Sequence, residues 1–421
     1  MNNERDARHV ARGLEAWLAK IRAKAPLAII LGGTCNGLSF ARSLGRRGVP
    51  TLLLESDRFL GTYTRYGKVT LLPPADQFAQ EWLTLLEFVG SRLGAPGILF
   101  PTGDLHSLLV SRHRDALQRY FRFLVPDLGT LERIVNKRSQ YEAARAIGVP
   151  IPAVRFPESV EEASFLAADL SYPCLLKPYG SQAARRTLAK KVVVVHSRVE
   201  LIAAYARITG MNVSLMIQEI IPGEDSALYG YLGFWGSDGR ERAWVTKRKL
   251  RQYPPQFGDG SLQITVEAPR VAELSRRLLT AFSYCGFVGI EFKLDARDGT
   301  YRLIEINPRT VSGNQLAISA GIDFPWIGYQ YLTGSGLEAS PVTPFRPQVK
   351  YVNEEWDVQA YLALRRSGAL SLRGWYDSLR GAQAWAIGAW DDPLPLVAGL
   401  WRFLCRTRSR TTGSPDAGPR N

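Results

Sequence analysis

The feature that most constrains this chain is the run LAIILGGTCNGLSFARSLGRRGVPTLLLES. An apolar segment (Leu27 to Leu31) meets glycines, then a helical stretch, then a second apolar segment (Thr51 to Leu54) that ends at Glu55. That order is a strand–helix–strand unit with its glycine turn at the carboxyl end of the first strand. Two strands joined through a helix lie parallel, and parallel strands are covered by helices on both faces. A third strand is expected at GILFP, ending near Asp104, and a fourth at YFRFLVP, ending near Asp127. Residues 27–130 therefore read as one parallel-sheet domain. Ahead of it, Val10, Leu14, Trp17, Leu18 and Ile21 recur at helical spacing, which predicts an amphipathic helix within residues 1–26. GGTCNG lacks the GxGxxG order of a dinucleotide fingerprint, so an NAD-dependent oxidoreductase is a poor alternative.

The texture changes at Leu131. A helix carrying Asn136, Lys137 and Arg138 is expected to run to Gly148, where VPIPAV stops it. Strand-rich stretches follow at PCLLKPYG with KKVVVV, and at LMIQEIIPGEDSALYGYLGFW. After a basic run come a helix near Ala272 to Cys285 and the hairpin GIEFKLDARDGTYRLIEINPR, turned at Asp298-Gly299. The divisions are 131–335 for this second domain, 336–405 for a C-terminal extension and 406–421 for a disordered basic tail.

The hairpin carries the chemistry. Side chains repeat every two residues along a strand, so Leu303, Glu305 and Asn307 are expected on one face. Pairing across the turn sets Glu291 beside Glu305. Adjacent carboxylates repel unless a cation or proton lies between them. With the Asn307 amide oxygen they form an all-oxygen set suited to magnesium and not to zinc. Arg309 follows where it can reach an anion held by such a metal. Lys177 ends a buried strand and Lys137 opens a helix, both placed to hold a phosphate. In IQEIIPGED the strand ends at Glu219; in a nucleotide site the Ile221 backbone suits an adenine edge and Glu224 a ribose. VTKRKLRQYPP puts Lys247, Lys249 and Arg251 on one strand face and Arg248 on the other, a density suited to a triphosphate or a carboxylate substrate. A nucleic-acid patch is the rival reading of that run.

Four scattered cysteines and four histidines form no zinc, disulfide or triad pattern. The net charge of +14 attracts anions without choosing among them. No run reaches the ~18 apolar residues of a spanning helix, and the charged N-terminus does not read as a signal peptide. The expectation is a cytoplasmic protein. The stretch Leu396 to Leu404, flanked by arginines, reads as a packing helix, with peripheral contact to an anionic membrane as its alternative.

The ordered set Lys, strand-Lys-Pro, Glu-x-x-Pro-Gly-Glu, basic strand, Glu and Glu-x-Asn-x-Arg resembles the ATP-grasp superfamily of carboxylate–amine ligases. RKLRQYPPQFG and GLSFARSLGRRGVP look most like its branch of D-aspartate ligase-like proteins. The resemblance covers roughly residues 27 to 335. It implies a mixed α/β and α+β chain, an ATP-grasp fold of two α+β subdomains preceded by a Rossmann-like parallel-sheet domain. It implies that Lys137 and Lys177 contact the α- and β-phosphates of ATP, that Glu219 and Ile221 line the adenine pocket, and that Glu224 binds the ribose. Glu291, Glu305 and Asn307 would hold magnesium, as two ions, with manganese as a substitute. Arg309 would steady an acyl phosphate, and Lys249 and Arg251 would meet the γ-phosphate or the substrate. One departure stands out: the flap over the phosphates, usually small and glycine-rich, here reads PYGSQAARRTLAKK, beginning at Gly180 and Ser181. The implied partners are a small-molecule carboxylate and amine, amino acid or peptide-like, without nucleic acid, and a second copy in a homodimer. The alternatives are a catalytically silent ATP-binding or regulatory protein of this fold and a nucleic-acid-binding protein.

Overall fold

The computed structural model describes residues 13–21, 25–179, 192–335 and 344–411. The expected flap start at Gly180 and Ser181 and the tail beyond 411 lie outside the described residues.

The parallel sheet contains β1 (Ala28–Leu31), β2 (Thr51–Glu55), β3 (Lys68–Leu71), β4 (Gly97–Pro101) and β5 (Phe121–Arg122), in the order β3-β2-β1-β4-β5. Every residue of β1, β2 and β4 is buried, which is why these strands read as continuous apolar runs. β3 escaped the sequence reading because KVTL is a half-exposed edge strand with a lysine on it. Residues 13–21 are helical, and Leu14, Leu18 and Ile21 of that helix pack on the sheet's core. The chain leaves β1 toward β2 on one side and returns to β4 on the other. This opens a crevice at the carboxyl ends of β1 and β4. Gly32 stands there at φ +110°, and a Cβ on it would come within 2.4 Å of the Thr102 hydroxyl. The Glu55 carboxylate turns inward and accepts the backbone N–H groups of Gly33 and Ser56. It thereby occupies donors that a dinucleotide pyrophosphate would need.

The single helix expected to carry Asn136, Lys137 and Arg138 and to run to Gly148 is two, Leu128–Val135 and Lys137–Ala146. Asn136 breaks them apart: it is extended, and its Oδ1 accepts the N–H groups of Arg138 (2.9 Å) and Ser139 (3.3 Å). A small antiparallel sheet follows, formed by β6 (Val154–Arg155), β7 (Cys174–Pro178), β8 (Val193–Val195) and β9 (Leu215–Glu219) in the order β6-β9-β7-β8. It has its own core with the helices Val160–Leu166 and Arg198–Thr209.

The large sheet contains β10 (Leu228–Trp235), β11 (Glu241–Tyr253), β12 (Asp259–Thr265), β13 (Gly286–Leu294), β14 (Tyr301–Asn307), β15 (Lys350–Val352) and β16 (Ala382–Trp385). Its order is β14-β13-β10-β11-β12-β15-β16. The stretch read as an extension from 336 to 405 thus supplies two strands of this sheet, because Leu262 to Ile264 of β12 offer β15 a free edge. One apolar cluster runs from Ile30, Phe40 and Phe100 of the first domain to Phe234, Phe287 and Tyr351 of the large sheet. The final helix, Leu394–Thr411, continues through 406–411, where the sequence reading expected disorder. Just before it, Asp392 is buried against Arg42 (2.9 Å), the Thr64 hydroxyl (2.7 Å) and the Arg65 N–H (2.9 Å), fastening the end of the chain to the first domain.

Candidate active site

The centre of the site is the β13–β14 pair. Glu291 lies directly opposite Glu305, and Asn307 lies opposite Gly289 on the same face. Residues after the pair follow a different alternation. The partners step from Glu305 to Leu303, leaving Ile304 as a bulge. Leu303 therefore turns away from Glu305 and into the core with Ile290 and Phe292, which corrects the expected run of Leu303, Glu305 and Asn307 on one face.

Cations surround the two carboxylates. Lys249 Nζ donates to Glu291 Oε2 at 2.9 Å, and Lys137 Nζ donates to Glu305 Oε2 at 3.4 Å. Lys137 reaches Glu305 because Asn136 starts its helix afresh beside β14. Asn307 Nδ2 donates to Glu305 Oε1 at 3.1 Å, and Arg309 Nη2 donates to Asn307 Oδ1 at 3.3 Å. Arg309 also donates through Nε to Asp104 Oδ1 at 2.8 Å, so the end of β4 orients it. Lys177 stands at the end of β7, across from the hairpin. Burial, and then the charge of Lys137, push its ammonium down to about 8, against a smaller upward pull from Glu305 and Glu291. For Glu305, burial favours the neutral form, but Lys137, the Asn307 amide, Lys249 and Lys177 outweigh it and hold the carboxyl well below its ordinary range. Burial opposes charge on Lys249 too, yet Glu291 and Asp259 keep it above its ordinary value.

The basic strand divides differently from its expected alternation. Register shifts follow Lys249 and Arg251 in β11. Lys247 and Lys249 remain on the site's side, whereas the Arg251 guanidinium is committed elsewhere. It donates to Asp357 (2.8 and 3.2 Å) and to the Ser378 hydroxyl (2.9 Å), in a buried network with Ser261 and Trp375. Lys247 takes the place expected of Arg251. Its Nζ donates to Gln263 Oε1 at 2.5 Å, and burial brings its ammonium down to about 8. The alternation Lys247–Lys249 was the signal for it in the sequence.

Glu219, Ile221 and Glu224 occupy the link from β9 to β10, where the small sheet hands the chain to the large one. Ile221 is buried. Both Glu219 oxygens are engaged, one by the Ala153 N–H (2.8 Å) and one by Arg297 (3.0 Å). Glu219 thus ties the small sheet to the strand-turn segment at Arg297, while the carboxylate of the exposed Glu224 accepts the Ser226 hydroxyl at 3.2 Å. His106, set aside in the sequence, lies beside Arg309 and Gly32. Burial and then the Arg309 charge lower it to about 4, so its ring is neutral at neutral pH, and its Nδ1 has no hydrogen-bond partner among the described residues.

No group of three His, Cys, Asp or Glu side chains suited to a metal occurs among the described residues. Two adjacent carboxylates and an amide fit magnesium nonetheless, because this ion completes its octahedron with phosphate and water oxygens. The Asn307 oxygen faces Arg309, so its amide must turn to serve as a ligand. Lys137 and Lys249 supply countercharge to these carboxylates.

Residues 212–355 match the family model described as ATP-grasp in the biosynthetic pathway with Ter operon. The D-aspartate ligase of Enterococcus faecium is 26% identical over 298 residues, covering 67% of this chain and 71% of the relative. A carbamoyl phosphate synthase large chain of Methanothermobacter thermautotrophicus is 26% identical over 242 residues, which is only 22% of its own length. Among solved structures, an ADP complex of N5-carboxyaminoimidazole ribonucleotide synthetase has the same fold, with TM-score 0.61, 15% identity, and coverage of 82% of this chain and 86% of that one. The biotin carboxylase domain of Hydrogenobacter thermophilus 2-oxoglutarate carboxylase, solved with MgADP and bicarbonate, superposes with TM-score 0.59 at 16% identity, covering 77% and 73%.

Proposed function

We propose that this chain, which matches an ATP-grasp family model over residues 212–355, is an ATP-dependent ligase that activates a carboxylate as an acyl phosphate and joins it to an amine. One observation supports this reading: Glu291 and Glu305 stand side by side near Lys137, Lys177 and Lys249, an excess of positive charge around two paired carboxylates.

In this mechanism Glu291, Glu305 and Asn307 would hold magnesium, in our reading as two ions, and the metal would supply charge neutralisation on the phosphate oxygens. Lys137 releases Glu305 and, with Lys177, binds the α- and β-phosphates. Lys247 and Lys249 approach the γ-phosphate from β11. An oxygen of the substrate carboxylate attacks the γ-phosphorus, the bond to the β–γ bridging oxygen breaks, and ADP leaves. Arg309, oriented by Asp104, faces the acyl phosphate and then the oxyanion formed when the amine adds. Phosphate departs with the attacking oxygen, the amide remains and a proton is released. Buried lysines and Arg309 supply electrostatics throughout, and no His or Cys is required. The adenine lies against Ile221, with the ribose toward Glu224. Glu219 acts through the chain link and not by direct contact, because its carboxylate is engaged.

The D-aspartate ligase similarity favours an amino acid or peptide-like carboxylate. The biotin carboxylase neighbour was solved as a domain dimer, and we read this chain as a homodimer too. No helix among the described residues is long and apolar enough to cross a membrane.

The test is ADP release with magnesium ATP across amino acids paired with amines, with product masses read alongside. ADP should appear only with both substrates, and the product should equal their sum less one water. Glu305→Gln should lower turnover by at least ~100-fold while the melting curve keeps its cooperative shape. Full activity in that variant would remove Glu305 from the site. ADP release that ignores the second substrate would leave the protein an ATPase or a nucleotide-binding regulator.

A further inference from the structure

Where the loop after Arg309 meets the first domain, Asn36 is 3%, Thr310 5% and Asn314 1% exposed. Asn36 Oδ1, Thr310 Oγ1 and Asn314 Oδ1 each lack a hydrogen-bond partner among the described residues. The three residues belong to one bonded cluster. Asn36 stands in the first turn of the helix Cys35–Arg46, at the crevice of the parallel sheet. Its Nδ2 donates to Thr102 O at 3.0 Å, just past β4, and to Thr310 O at 2.8 Å. Asn314 Nδ2 donates to Ser39 Oγ at 2.7 Å, and Ser39 Oγ donates to Asn36 O at 2.6 Å. Arg309 Nη1 also donates to Thr310 O at 3.1 Å, which joins the cluster to the acyl end of the proposed site.

The bonds already made decide what kind of ligand fits. Both hydrogens of the Asn36 amide go to carbonyls, so its nitrogen must face them and its oxygen is left as a pure acceptor. Ser39 gives its hydrogen to Asn36 O and can only accept from Asn314, which fixes the Asn314 amide in the same sense. Thr310 adds a hydroxyl oxygen. Buried polar atoms are rarely left unpaired, because each keeps its full desolvation cost. Thr310 and Asn314 also line a small cavity whose other walls are apolar, among them Leu232, Phe287, Val288 and Phe324. A carboxylate or phosphate brings only acceptors and does not suit these oxygens. Water, ammonia and a primary amine bring donors, and of these the proposed reaction consumes the amine.

We propose that Asn36, Thr310 and Asn314 form the subsite for the nitrogen nucleophile, and that it takes an unhindered amino group, with ammonia the smallest. This rests on the ligase reading above. The nitrogen lone pair forms the bond to the acyl carbon, the carbon–oxygen bond to phosphate breaks, and one N–H proton leaves with the phosphate.

The first test is the melting temperature of the nucleotide-free full chain in ammonium chloride. Tetramethylammonium chloride, which has no N–H, is the control at equal concentration and pH. Ammonium should raise the melting temperature by at least ~2 °C over the control. Thr310→Val should abolish the difference, and Thr310→Ser should keep it. In the turnover assay, with ammonium chloride or methylamine as the amine, Thr310→Val should raise the amine KM at least ~10-fold and leave the carboxylate KM unchanged. An ammonium effect no larger than the control, which is what a site for ordinary water would give, overturns the subsite while ligase activity stands. So does a native amine KM in Thr310→Val, or a rise in the carboxylate KM in its place. Absence of ADP release with every substrate pair removes the ligase reading, and the subsite with it.

Discussion

Lys177 holds a positive charge where its surroundings disfavour one. Its folded value of about 8 lies below the ordinary 10.5, so between these limits the folded chain binds fewer protons than the unfolded chain. The cost of the charge is fully present below about pH 8, and it is relieved as pH rises toward the ordinary lysine value. Stability of the nucleotide-free protein should therefore rise across that window. Lys177→Met should flatten this rise and stabilise the free protein near neutral pH by about 1–3 kcal/mol, while weakening ATP binding. Denaturant melts of both proteins at about pH 7 and about pH 10 check it; a variant that melts with the native pH dependence would show that Lys177 is not held at a cost. Under the proposed function the same residue gives ATP a place to bind. Phosphate oxygens of bound ATP would return to Lys177 the solvation that burial removes. His106 is the residue that the sequence did not reveal. A lone histidine acquires meaning from Gly32, Arg309 and the end of β4, which come together only in the fold.

Regular alternation was the part of the site legible at the level of elements. The Asp298-Gly299 turn sets the register that places Glu291 against Glu305, and a period of two then brings Asn307 to their side. Irregularities were illegible, because a bulge leaves no mark in a hydrophobic pattern. One at Ile304 sends Leu303 to the core, and the shifts after Lys249 and Arg251 remove Arg251 from the cluster. Asn136 splits one expected helix into two through a cap that any continuous helical pattern conceals. β3 is a half-exposed edge strand beside β2, and β15 pairs with β12, far away in sequence, so neither shows in the local apolar pattern. The buried Arg251–Asp357 pair carries a prediction at this scale. Arg251→Ala leaves the Asp357 carboxylate buried beside Ser261 and Trp375 without its cation, which should cost about 3–5 kcal/mol. Turnover per folded molecule should stay within about twofold. Equilibrium unfolding and active-site-normalised kinetics separate the two effects. A collapse of turnover at unchanged stability would return Arg251 to the catalytic set.

Across the whole molecule, the site depends on parts that are distant in sequence. The first domain supplies Asp104 to orient Arg309, the small sheet supplies Lys177, and the large sheet supplies the carboxylates and Lys247 and Lys249. The end of the chain is fastened back through Asp392 and Arg42. The parallel-sheet domain and the two-sheet body were legible in outline from their apolar runs. The membership of β15 and β16 in the large sheet was not, because the pairing of β15 with β12 and of β16 with β15 is decided by packing and not by pattern. Carboxylate activation within this assembled cleft is the central proposal. Its most direct test is turnover of a substrate carboxylate labelled with heavy oxygen. Attack on the γ-phosphorus predicts that the label from the carboxylate appears in the inorganic phosphate, alongside ADP. Unlabelled phosphate, or release of AMP and pyrophosphate, would contradict it.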